Sequence, residues 1–183
     1  MRLFTGLDLP SNTEALLGRL ISVLRPAAPN LHWSPLTNLH ITTKFIGQWH
    51  DDRLDELKDA LQTVSKPGAL QIPINGVGWF PNPDQPRSLF AAVDAPQGLH
   101  DLARGTQEAL AAIGIAHEDR KYSPHVTLAR LKSGTRLAPL RQAIACYESV
   151  DFGIFDANSF HLYASHSDVH GTVYTKLAEF PLQ

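Results

Sequence analysis

A four-residue cassette occurs twice in this chain, as Leu39-His40-Ile41-Thr42 and Pro124-His125-Val126-Thr127. Residues two apart on a β-strand share a face, so each copy turns an imidazole and a hydroxyl one way and an aliphatic residue the other. A second echo precedes each cassette: Leu3 to Pro10 returns as Leu89 to Pro96, an offset of 86 residues, and the cassette histidines repeat at an offset of 85. Two features sharing nearly one offset predict an internal duplication, each half running strand, helix, cassette strand, helix, strand.

The pattern between the cassettes agrees. A helix is expected from Ser11, where Ser11-Asn12-Thr13-Glu14 has capping-box spacing, with Leu16, Leu17, Leu20, Ile21 and Leu24 as its apolar stripe and Pro26 as its stop. Its counterpart spans about Gln97 to Ile113, ended by Gly114. Cassette strands follow at 38–47 and 123–131. A helix opened by Asp51-Asp52 carries Leu54, Leu57, Leu61 and Val64, and a weaker one starts near Pro139. Strands are expected at 70–80, 159–164 and 172–180, and the proline-rich run 81–86 separates halves of about 1–80 and 87–183. The expected architecture is α+β, one bilobed domain over 1–183, with duplicated antiparallel sheets flanking a central cleft that both cassettes face.

A length of 183 residues, 43% of them hydrophobic, supports one sizeable core and not two full domains. The net charge of −2 argues against a broad nucleic-acid-coating face but leaves room for a small site gripping one phosphate. One cysteine, Cys146, excludes an internal disulfide and reads as a core thiol in a reducing compartment. The apolar run from Leu3 is cut short by Asp8 and Pro10, so neither a signal peptide nor a membrane span is expected, and the chain reads as a soluble cytoplasmic monomer.

The bare His-x-Thr pattern is cheap. With 9 histidines and 11 threonines, chance supplies about 0.5 matches, and a third copy, His170-Gly171-Thr172, is set aside because it lacks the aliphatic anchor. In the first cassette strand Leu39, Ile41 and Phe45 alternate with His40, Thr42 and Lys44, which assigns the first set to a core and the second to a cleft. Two imidazoles near neutral pKa divide acid and base work on a phosphodiester: one takes the proton of attacking water and the other supplies one to the departing alkoxide. Threonine hydroxyls then hold the non-bridging oxygens. This scheme requires no metal and no cofactor.

These cassettes, with the opening Met1-Arg2-Leu3-Phe4, the runs Asn38 to Gly47 and Ser123 to Arg130, and the Ser165 to Tyr174 ending, resemble the 2H phosphoesterase superfamily. The resemblance is nearest to the RNA 2′,3′-cyclic phosphodiesterases, also called 2′-5′ RNA ligases. It implies hydrolysis of a 2′,3′-cyclic phosphate at an RNA 3′ end, or on a nucleotide, to a 2′-phosphate. It further implies His40 as proton donor, His125 as proton acceptor, and Thr42 and Thr127 as phosphate-holding residues. Ligation of tRNA halves enters as the reverse reaction. Thr43 departs from the usual apolar residue at its position. Arg130 matches the family pattern, yet strict alternation places it opposite His125 unless a bulge re-aims it. Phe4, Trp33, Phe45 and Trp79 are candidates for base stacking.

Two rivals stand beside this reading. His161, His166 and His170 with Asp168 form a C-terminal group rich in metal-ligand types, although in no spacing with a mechanical rationale. A non-catalytic module binding an RNA end or a nucleotide would use the same cleft.

Overall fold

A computed structural model of the chain describes residues 1–132, 134–169 and 171–183. The first half supplies β1 (Arg2–Asp8), α1 (Ser11–Leu24), the short β2 (His32–Trp33), β3 (His40–Gln48), α2 (Leu54–Gln62) and β4 (Leu70–Phe80). The second supplies β5 (Ser88–Val93), α3 (Gln97–Ala111), β6 (His125–Arg130), α4 (Ala138–Ala145), β7 (Asp151–Ala157), β8 (Ser159–Asp168) and β9 (Gly171–Pro181). Helices and an antiparallel sheet system make an α+β architecture, as the alternation of periods requires.

The strands run β7-β4-β5-β6-β3-β1-β8-β9, with β2 added on β6. At the middle of this order β3 and β6 share one register pair, Ile41 opposite Val126, and then part. The sheet is therefore two four-stranded sheets joined at the cassettes. Each takes strands from both halves: β4 leaves the first half to pair with β5 and β7, and β8 and β9 leave the second to pair beside β1. Helices follow the same exchange, α1 packing against β7 and α4, and α3 against β3 and α2. Leu7, Ile41, Leu89, Ala91, Val126 and Leu128, all at 0% exposure, line the helix side of the join.

Local differences from the sequence pattern have physical causes. Pro10 caps α1 with its backbone alone, its carbonyl accepting the Glu14 N–H at 3.0 Å, so the Ser11 capping box is not made. Thr13 is buried in that helix while Leu16 is turned out. Strand β7 escapes a period-two reading because Gly153, at φ +82°, sets the buried Phe152 and Phe155 three apart. Strand β8 continues to Asp168, four residues past the end expected for it. Gly114, at φ +93°, stops the chain after α3 in the left-handed conformation expected of it. Cys146 is exposed, not a core thiol. Among the described residues no helix is long and apolar enough to cross a membrane.

Candidate active site

Because Ile41 lies opposite Val126 in an antiparallel pair, His40 falls on the Thr127 side of the join and Thr42 on the His125 side. The four side chains make a diagonal quartet on the face opposite the two buried aliphatics. Diagonal positions on such a ladder stand about 7–8 Å apart, a gap that one tetrahedral phosphate fills with a hydrogen bond on each side. All four line a cleft of about 440 Å³, together with Arg2, Arg130, Asn38 and Tyr174. No carboxylate lines this cleft among the described residues. That suits an anionic occupant.

The two rings are tethered alike. His40 Nδ1 lies 2.7 Å from the Asn38 carbonyl, and His125 Nδ1 lies 2.8 Å from the Ser123 carbonyl. A carbonyl only accepts, so Nδ1 carries the hydrogen in both, and Nε2 is the nitrogen left for the cleft. His40 Nε2 lies 2.9 Å from Thr42 Oγ1. Burial under Phe4 and Tyr174, whose rings lie 4.7 and 5.2 Å from that of His40, lowers the His40 pKa. The Asn38 carbonyl and the Asp8 carboxylate act against that shift, while the charges of His125 and Arg130 add to it. Phe80 lies nearly parallel to His125 at 5.9 Å, interplanar angle 14°, and Phe90 flanks that ring at 5.2 Å.

Two bulges decide which further residues reach the cleft. In β3 against β1, Gly6 pairs with Thr42 but Thr5 with Lys44, leaving Thr43 as the extra residue. Alternation therefore inverts. Lys44, expected beside His40, is buried on the other face at 8% exposure, its Nζ donating to Gln107 Oε1 and the Ala116 carbonyl. Phe45, expected in the core, lines the cleft at 62% exposure. In β6 against β5, Phe90 pairs with Thr127 but Leu89 with Ala129, so Leu128 is the extra residue. This second bulge brings Arg130 to the cleft side, the condition its participation needed. Ser34 satisfies the bulged backbone, its Oγ donating to the Thr127 carbonyl and its N–H to the Leu128 carbonyl.

The halves differ behind the histidines. Asp8 lies opposite His40 on β1, whereas Ala92 lies opposite His125 on β5. The Asp8 carboxylate accepts from the Tyr163 hydroxyl and the Lys176 ammonium. Burial pushes its pKa up, but those two donors outweigh burial and hold it below the usual carboxylate range. The sequence echo aligned Asp8 with Asp94, which hid this asymmetry; ladder register identifies it. Gly6 is a second unanticipated requirement, since a Cβ there would meet the Ile41 carbonyl oxygen at 2.7 Å and His40 Cδ2 at 3.4 Å.

Among the aromatic candidates Phe4, Trp33 and Phe45 line the cleft. Trp79 does not; it lies under the Arg141 guanidinium, 5.7 Å from ring centroid to Cζ. His161 is 6% exposed, with Nδ1 3.8 Å from Asp8 Oδ2 and Nε2 3.6 Å from Glu179 Oε1. His166 is exposed and lies opposite Val173. His170 and the Asp168 side chain lie outside the described residues. Among the described residues no three His, Cys, Asp or Glu side chains are placed to share an ion. Gly171 and Thr172, the remainder of the third His-x-Thr match, line the cleft, where the Thr172 carbonyl accepts from Asn38 Nδ2.

A family model described as LigT like Phosphoesterase matches the chain twice, over residues 7–90 and 91–174. The chain belongs to this family. The two matches of the LigT-like phosphoesterase divide within β5, in accord with the duplication and with the resemblance that the cassettes carry. The chain is 29% identical to a Methanocaldococcus jannaschii protein named RNA 2′,3′-cyclic phosphodiesterase, covering 98% of this chain and 100% of that one. A Thermus thermophilus protein of the same name is 32% identical, covering 100% of this chain and 91% of the relative. Among solved structures, one from Thermus thermophilus superposes with a TM-score of 0.82 at 28% identity, covering 100% of this chain and 98% of that one. Escherichia coli LigT complexed with 3′-AMP superposes at 0.79 with 21% identity, covering 98% and 97%, and so shares the fold of this LigT-like phosphoesterase.

Proposed function

We propose that this LigT-like phosphoesterase is an RNA 2′,3′-cyclic phosphodiesterase in which His40 and His125 divide acid and base work on one phosphate. The observation that carries the reading is the ladder join, from which two Nδ1-tethered imidazoles and two threonine hydroxyls face one cleft with no carboxylate among its described lining residues.

The water oxygen attacks phosphorus and gives its proton to His125 Nε2. The bond from phosphorus to the 3′ oxygen breaks, and that oxygen takes a proton from His40 Nε2, leaving a 2′-phosphomonoester and a 3′-hydroxyl. Exchange with solvent returns a proton to His40 and removes one from His125. Thr42 and Thr127, with Arg130, hold the non-bridging oxygens, where negative charge accumulates. In the free protein the Thr42 hydroxyl occupies His40 Nε2 at 2.9 Å. A phosphate oxygen that accepts from Thr42 releases this nitrogen for the leaving oxygen. Burial lowers the His40 pKa in the free protein, so the donor draws on the substrate's own anion, with Asp8 behind it, to hold its proton. With a 5′-hydroxyl in place of water, the same two transfers form a 2′-5′ phosphodiester.

The relatives named RNA 2′,3′-cyclic phosphodiesterase support the substrate class. End-group analysis after incubating the protein with an oligoribonucleotide ending in a 2′,3′-cyclic phosphate tests it. A 2′-monophosphate is expected. A 3′-monophosphate would reverse the leaving group and with it the assigned roles, and binding without turnover would make the cleft a binding module.

A further inference from the structure

A second cavity of about 400 Å³ adjoins the first and shares Thr42, Phe45 and His125 with it. The fold leaves two phenylalanines uncovered on this path, Phe45 at 62% and Phe80 at 40% exposure, and both line the second cavity. Its lining carries the cations Lys44, Arg104, Arg120 and Lys121 and one carboxylate, Glu118. Arg104 is held by Asp101 and Glu108, and Arg120 by Glu118 at 3.2 Å, whereas Lys121 makes no ion pair among the described residues. Four cations against one carboxylate thus stand beside two exposed aromatic faces. It is the combination that binds single-stranded nucleic acid without reading its sequence, phosphates against the cations and bases against the rings.

We infer that this second cavity is a subsite for the nucleotides that precede the reacting 3′ end, so that the protein acts on a single-stranded RNA terminus in preference to a free cyclic nucleotide. The inference rests on the proposed phosphodiesterase reading and extends it to the length of substrate engaged. A chain whose terminal phosphate lies at the histidine pair places its last nucleoside in one cavity and crosses Phe45 and Phe80 into the other. The site is sequence-tolerant, since any base offers a π face to a phenylalanine.

The test compares kcat/KM on a 2′,3′-cyclic mononucleotide and on a single-stranded oligoribonucleotide of about eight nucleotides ending in a cyclic phosphate, within the span such grooves accommodate. The parent protein is expected to favour the oligonucleotide by about tenfold or more, mostly through KM. The double variant Arg120→Ala/Lys121→Ala, on exposed side chains outside the reacting quartet, is expected to lose most of this preference while turning over the mononucleotide at the parent rate. Equal efficiency on both substrates in the parent, or an equal loss on both in the variant, overturns the subsite. Turnover of neither substrate instead sinks the phosphodiesterase reading. The subsite is then decided by fluorescence anisotropy with the same oligonucleotide ending in a 3′-hydroxyl: weaker binding by the double variant supports it, and unchanged binding overturns it.

Discussion

His40 and His125 carry the same tether on Nδ1 and different neighbours, and the proposed division of roles draws on that difference. Burial lowers the His40 pKa in the free protein. The proposed mechanism needs His40 charged, and its ring gives up that charge as pH rises through the lowered value. Followed by NMR of the imidazole ring protons, the His40 titration is therefore expected below 6.5, the ordinary histidine pKa. Asp8 opposes the lowering, and Ala92 offers His125 no equivalent. In Asp8→Asn that support is lost, so the His40 titration is expected at still lower pH with the fold retained; a titration that stays or moves upward contradicts the role given to Asp8. The histidines were legible in the sequence because a repeated spacing is visible there. Asp8 was not, because its importance lies in which residue faces it across a ladder.

At the scale of elements, the two bulges are the feature that a period-two reading missed. Thr43 and Leu128 stand 85 residues apart, the same offset as the cassettes, and each inverts alternation at the same point of its strand. A bulged residue carries no compositional mark, so Phe45 and Lys44 were assigned to each other's faces, while the two cassette strands were read to within two residues at each end. The close approach of β1 to β3 at Gly6 belongs to this scale too. A Cβ there would lie 2.7 Å from the Ile41 carbonyl oxygen, at the residue that joins the sheets, and a backbone atom cannot swing aside. Gly6→Ala is expected to lower stability by about 1–3 kcal/mol and to reduce turnover. Urea unfolding checks the first and a steady-state assay the second, and a parent-like midpoint with parent-like turnover would show that the join tolerates displacement.

For the molecule as a whole, duplication was legible and exchange was not. Offsets of 85 and 86 residues reveal two copies, but nothing in the spacing says that β4 joins the second copy's sheet or that β8 and β9 join the first. Those partnerships depend on contacts distant in sequence, which a local pattern does not encode. Their consequence is that the cleft is built by both copies at once, with one imidazole from each on adjoining strands. If the pair works jointly, neither histidine substitutes for the other. The decisive measurement is the turnover number of His40→Ala and His125→Ala on a 2′,3′-cyclic phosphate substrate, with the fold of each verified by circular dichroism. Each variant is expected to lose about 10²- to 10⁴-fold while remaining folded; a folded variant of either histidine that turns over at the parent rate would contradict the shared site.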